Sequence, residues 1–404
     1  MEIEVLKRQA MSAAEALGST LVSLSHDIHR LAEVKFEEHG SAAALVGFLR
    51  GRGFHIETGV AGLPTAFVAR TGTTGPRLGL VAEYDALPGL GHGCGHNMIG
   101  PISVGAASAA AEVLSRAGVT AQIDVIGTPA EEGGGGKVRM VNAGIFDAYD
   151  AVMMTHPYRA SMRDHGTLAM ASIKVTYLGR AAHASAQPHE GINALEAAVQ
   201  AYQAINGLRQ HLPPESRVHG IIREGGTAPN IIPDRSSLHF LVRAVDDSTL
   251  SLLKERVAAC FQAAARSTGC RCDVEVELEY KARRPNSVLQ NVLSANLAVL
   301  GFPLGPLPPG DGKGSSDMGD VSRVAPTAQP YFAICEEIVI WHSMEVVTAA
   351  VSARADAALV EVSKGLAATC VELATSSDLL REIRIEFEAM KTAGVANESR
   401  NSNS

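Results

Sequence analysis

The segment GLGHGCGHNMIG, Gly89–Gly100, gathers two histidines and a cysteine, His92, Cys94 and His96, within five positions. Thiolate and imidazole are the donors that suit zinc and its neighbours. Cys94 and His96 lie two apart on a glycine-rich stretch that is neither regular helix nor strand, so both side chains can turn toward one point. A Cys-x-His pair alone is more often incidental. Further along, TPAEEGGGG sets Glu131 and Glu132 between an apolar run and four glycines. One carboxylate of such a pair can bind metal while the other serves as general base. A solvated acidic turn is the plainer reading, and the position after an apolar strand favours a site. His156 in MMTHP ends another apolar run, and His342 in VIWHSMEV follows EIVIW. A strand-end histidine is as common in a core or a cap as in a site. Together, however, Cys94, His96, Glu132, His156 and His342 exceed what one tetrahedral zinc needs. Two metals sharing a bridging ligand would use all five and leave room for water.

These residues need a frame that delivers loops to one place. Residues 10–50 carry apolar side chains at helical spacing and stop at RGRGF. HIETGV, TAFVAR and RLGLVAEY then read as short strands, and ISVGAASAAAEVLSRAG as a helix. QIDVIGTPAEE and AVMMTHP each read as a strand that ends in a loop. Alternating strands and helices predict an α/β fold with a central mixed sheet flanked by helices, and ligands gather at the carboxyl ends of such strands. Residues 167–282 have another rhythm, β-α-β-β-α-β, the order of a ferredoxin-like unit. They read as a domain inserted between 1–166 and 283–391. The stretch FPLGPLPPGDGKGSSD returns the chain to the first domain, and a final long helix is expected from about Thr348 to Ala374. Residues 392–404 are polar and are expected to be a disordered tail.

The chain has 404 residues, 46% hydrophobic and 19% charged, with a net charge of −8. That balance argues against broad nucleic-acid or anionic-membrane binding. No run of about 18 uncharged apolar residues appears, so no membrane span is expected. The N-terminal stretch lacks the apolar core of a secretion signal. Six scattered cysteines fit a reducing cytosol better than a disulfide framework.

The motifs AEYDALPGLGHGCGHN, GTPAEEGGGGK, THP, AAHASAQPHEGINA, GGTAPNIIPD, GSSDMGDVS and WHS cover nearly the whole chain outside the polar tail. In that order they resemble the aminoacylase and glutamate-carboxypeptidase type of dinuclear metallopeptidases, in the amidohydrolase branch of p-aminobenzoyl-glutamate hydrolases and aminoacylase-like dipeptidases. The resemblance implies a zinc-peptidase-like catalytic domain, an inserted dimerisation domain and a homodimer. It implies two divalent ions, Zn or Mn, with Co or Ni as further options. Cys94 would bridge them where many relatives use aspartate. His96, Glu132, His156 and His342 would complete the ligand set, with Asp85 supporting a ligand from behind. Glu131 would be the general base. His183 would reach the partner's site and stabilise the oxyanion, and Asn230 and Arg243 would hold the substrate's carboxylate or carbonyl. The chain departs from the pattern at Glu83, where many relatives carry a ligating histidine, and at Asn97, where cousins read CGHD; Glu83 is left out of the ligand set.

The expected activity is hydrolysis of an N-acyl or aminoacyl amino acid with a free carboxylate. The alternatives are a deacylase of N-acetyl or xenobiotic amides, and a metal-binding homologue without catalysis. Other motifs carry less. GGGGK lacks phosphate-loop spacing, because Val138 follows Lys137. Cys270 and Cys272 have no second pair nearby, His26 and His29 suit a polar helix face, His92 reads as a loop residue or a support behind the ligands, and His189 as shaping the turn beside His183.

Overall fold

In this computed structural model the backbone is described for residues 2–401 and side chains through Thr392. Helices α1 (Ile3–Ala16), α2 (Gly18–Leu31) and α3 (His39–Arg50) come first. Strands β1 (His55–Thr58), β2 (Phe67–Thr71) and β3 (Arg77–Ala82) follow, then α4 (His96–Arg116), β4 (Gln122–Gly127), α5 (Gly136–Asn142), β5 (Ala151–Met153) and β6 (His156–Tyr158). An inserted block runs β7 (Ala169–Leu178), α6 (Ala194–Arg209), β8 (Arg217–Glu224), β9 (Arg235–Ala244), α7 (Asp247–Thr268) and β10 (Arg271–Tyr280). The chain continues through α8 (Ser287–Ala298), α9 (Met318–Val324), β11 (Thr327–Ala328), β12 (Tyr331–Ala333), α10 (Met344–Ala349), α11 (Ala353–Thr375) and α12 (Ser377–Asn401).

Two compact units result. The first holds the chain up to Gly166, then Arg284–Lys313 and the helices beyond Asp320; the second holds Thr167–Arg283 with Gly314–Gly319. In the first, six strands form a mixed sheet in the order β1-β2-β4-β3-β5-β11. Strands β3, β4, β5 and β11 are parallel neighbours, and β1 and β2 add an antiparallel edge. RLGLVA of β3 and QIDVIG of β4 are buried at successive positions after their first residue, which requires cover on both faces. Helix α4 packs on β3, β4, α1, α2 and α11. It is long and apolar enough to cross a membrane, but it lies mostly buried inside this unit. Its small residues permit that closeness: a side-chain carbon on Gly105 would stand 2.3 Å from Leu21 Cδ1.

The second unit is a four-stranded antiparallel sheet ordered β10-β7-β9-β8. Along β9 every second residue is buried, Ser236, Leu238, Phe240, Val242 and Ala244. That period-two pattern places one face on α6 and α7 and the other toward solvent. The predicted β-α-β-β-α-β order is the observed one. Its edge differs from the sequence reading at one place. Gly314–Gly319, read with the first domain, packs here, where Leu168 N–H donates to Gly314 O at 2.8 Å and Arg243 to Ser315 Oγ at 3.1 Å.

Three expectations at the ends of the chain are corrected. The helical pattern of residues 10–50 is broken by left-handed backbone at Ala32 (φ 46°) and Phe36 (φ 64°). The predicted final helix divides into α10 and α11, and α12 follows it. The stretch expected to be a disordered tail continues α12 as helix through Asn401; residues 402–404 lie outside the described residues.

Candidate metal centre

The site is assembled at the carboxyl ends of three parallel strands in the first unit. Strand β3 delivers Glu83 and Asp85, β4 delivers Glu131 and Glu132, and β5 delivers His156. The glycine-rich loop brings Cys94 to the start of α4, whose first residue is His96. Gly95 between them has φ 78°, and a side-chain carbon there would stand 2.6 Å from Pro157 Cγ. Both the left-handed turn and the contact require glycine.

Three sets of donor atoms converge, each within 4.8 Å of one another: Cys94, His96 and His156; Cys94, Glu132 and His342; and His96, Glu131 and Glu132. Cys94 Sγ lies 3.7 Å from His156 Nε2, and His342 Nε2 lies 3.6 Å from Glu132 Oε1. All five ligands named from sequence, and Glu131, are thus brought together. The two buried histidines have their tautomers set from behind. His96 Nδ1 donates to Asp85 Oδ1 at 3.1 Å and His156 Nδ1 to Pro157 O at 2.7 Å. Each Nε2 then turns its lone pair to the cluster. Buried His96 Nε2 and Glu132 Oε1 have no hydrogen-bond partner. Buried polar atoms are almost always satisfied, so a donor set of thiol, imidazole and carboxylate with orphaned lone pairs fits divalent cations. Burial pushes the Cys94 thiol up to about 12, so a cation here must displace its proton.

The loop bearing Glu131 is held by carboxylates on either side. Ala130 N–H donates to Glu38 Oε1 at 2.9 Å and Glu132 N–H to Asp85 Oδ2 at 2.9 Å. Glu38 is fully buried, also accepts from Thr65 Oγ1 at 2.9 Å, and has its carboxyl raised by burial. Ala130 takes the left-handed φ of 61° that this hold imposes. Glu83 is no free ligand: fully buried Lys137 pairs with its Oε1 at 2.6 Å, while its Oε2 lies 3.5 Å from His96 Nε2. Burial opposes the Glu83 charge, and Lys137 and the nearby histidines hold it ionised. The lysine of GGGGK is therefore an internal counter-ion. Glu38, Lys137 and Trp341, whose Nε1–H donates to Cys94 Sγ at 3.4 Å, escaped the sequence reading. Glu38 lies in KFEEHG and Lys137 in GGGGKVRM, neither an apolar stretch, so no local signal flagged the first two.

Asn97, in place of the aspartate of cousins, is fully buried and donates from Nδ2 to Ser25 Oγ at 2.9 Å and to Ala350 O at 3.2 Å. A carbonyl accepts only, so aspartate would face it with an unpaired charge. Asn97→Asp is expected to cost about 1–3 kcal/mol or more while charged, read as a lower urea midpoint of the metal-stripped protein. An unchanged midpoint would refute this account.

The remaining predicted residues lie on the second unit. His183 is exposed and bridges to Ile231; its Nδ1 accepts from Ser185 and Ala186 N–H at 3.3 Å, which leaves an outward Nε2–H. Asn230 lies beside it, with Asn230 O accepting from Ala184 N–H at 3.0 Å. Arg243 sits near the far end of β9, whose eight residue steps from Arg235 span about 26 Å at strand rise. One chain therefore does not bring Asn230 and Arg243 to the same carboxylate, because β9 separates them. His26 pairs with Asp356 at 2.8 Å and His29 with Val347 O at 2.9 Å, so they share no ligand. His92 is buried, donates to Ile28 O at 3.1 Å, and is pushed down to about 3, chiefly by burial.

Residues 166–269 match the family model of a peptidase dimerisation domain. The chain is 38% identical to the Xaa-Arg dipeptidase of Mus musculus, over 96% of this chain and 93% of the relative. It is 33% identical to one of the component chains of the p-aminobenzoyl-glutamate hydrolase of Escherichia coli, over 72% of this chain and 64% of that one. Among solved structures it is similar to a dinuclear metal-binding peptidase of the M20 family from Bacillus subtilis, with a TM-score of 0.64 and 19% identity over 89% of this chain and 98% of that one.

Proposed function

Because the chain belongs to peptidase family M20, we propose that it hydrolyses the amide bond of a dipeptide or N-acyl amino acid bearing a free carboxylate, with Cys94, His96, Glu132, His156 and His342 holding two divalent cations. The observation that carries this is the sharing of Cys94 between two ligand triads, one completed by His96 and His156 and the other by Glu132 and His342. When bound, such a cation pair supplies Lewis acidity toward the scissile carbonyl and a water of lowered pKa. Glu131 would accept a proton from the attacking water and pass it to the leaving nitrogen. Asp85 holds His96 and the Glu132 backbone together, so the ligand and the loop of the base keep one register. The outward Nε2–H of the partner subunit's His183 supplies the oxyanion donor, a contribution on the order of 3 kcal/mol. In the proposed homodimer, Asn230 and Arg243 hold the substrate's carboxylate or carbonyl. Zinc or manganese suits the donor set, and six unpaired cysteines suit a reducing cytosol.

The dipeptidase relative directs the first assays to dipeptides ending in arginine, and the hydrolase relative to p-aminobenzoyl-glutamate. With zinc or manganese restored, turnover of a carboxylate-bearing substrate is expected, and its carboxamide is expected to fall by at least about tenfold in kcat/KM, the cost of leaving a polar carboxylate site unpaired. Equal turnover of acid and carboxamide would favour a general deacylase. No turnover of any carboxylate-bearing amide would overturn the reading.

A further inference from the structure

Trp341 is the single tryptophan of the chain, on the loop between β12 and α10 and one residue before His342. Its indole N–H donates to Cys94 Sγ at 3.4 Å. Tyr158 fixes the ring from one side, with centroids 4.8 Å apart. On the same loop Ile338 and Ile340 are 83% and 73% exposed. His342 is half-exposed and takes a left-handed φ of 62°, a costly conformation for a histidine. Its backbone N–H donates to Gly93 O at 3.2 Å. Two adjacent residues of the exposed turn are thus tied to the buried loop of Cys94, one by side chain and one by backbone.

We propose that Trp341 is a positioning residue of the divalent-cation centre, fixing the Cys94 sulfur and holding the His342 turn against it, so that its emission reports occupancy of the site. This rests on the reading of Cys94 as the shared ligand. A filler of apolar space would present carbon to the sulfur; here the ring turns its one polar atom there. A hydrogen bond to a ligating thiolate is charge-assisted and roughly twice as strong as a neutral one. The bond therefore strengthens as the centre fills, and by reciprocity it tightens binding.

The test titrates metal-stripped full-length protein with Zn2+, following tryptophan emission and, in parallel, competition with a chromogenic chelator. A saturable emission change that tracks zinc uptake is expected in wild type, a readout independent of any variant. Trp341→Phe keeps a ring without the donor and is expected to bind Zn2+ about tenfold more weakly by chelator competition. Zinc uptake with unchanged emission, or with equal affinity in Trp341→Phe, overturns the positioning role and leaves the metal site standing. Absence of zinc uptake in wild type overturns the metal site itself.

Discussion

Glu131→Gln is expected to lower kcat by about 10²–10⁴-fold, the contribution of a positioned general base, with KM changed little and metal content unchanged. The substitution is nearly isosteric. The loop is anchored through its neighbours, Ala130 N–H on Glu38 and Glu132 N–H on Asp85, so losing the Glu131 charge leaves those anchors in place. A loss confined to kcat marks an interaction made in the transition state. Steady-state kinetics beside metal analysis decide the matter: kcat within tenfold of wild type would remove Glu131 from the proton path, and a loss of metal would make it a ligand.

Cys94→Ala removes the donor common to two triads. Metal content measured by mass spectrometry is expected to fall from about two per chain in wild type, as in two-metal hydrolases, to below one. Activity should fall by at least about 10²–10³-fold, the scale of losing one preorganised electrostatic group. Cys94→Asp offers a carboxylate that can also bridge, and should recover part of both. Wild-type metal content in Cys94→Ala would mean that the sulfur is no shared ligand.

The residues of the cluster were legible because they lie on glycine-rich or strand-end segments, GHGCGH, PAEEGG and MMTHP, where local pattern and donor type point the same way. The inserted unit was legible because its alternation of strand and helix periods is local. Glu38 and Lys137 were hidden for the opposite reason. Their meaning lies in partners 92 and 54 residues away, Ala130 and Glu83, which no window of sequence contains. Trp341 read only as part of the apolar run EIVIW and of the WHS motif, since its hydrogen bond spans 247 residues. The separation of Asn230 from Arg243 depends on the register of β9, which two short motifs do not encode.

His96 opens α4, the most enclosed helix of the first unit, buried from its first residue through Ala110. Amide exchange in such a helix proceeds through near-global unfolding, whereas exposed turns open at almost no cost. His96 is therefore expected among the slowest-exchanging residues, and the exposed side chains of the 336–343 turn to be uncovered far more often. Local fluctuation of the 336–343 turn would uncover Glu132 and the Cys94 sulfur many times for each opening of α4. The two halves of the centre thus exchange with solvent on separate clocks, and slow chelation by a mild chelator should show two kinetic phases.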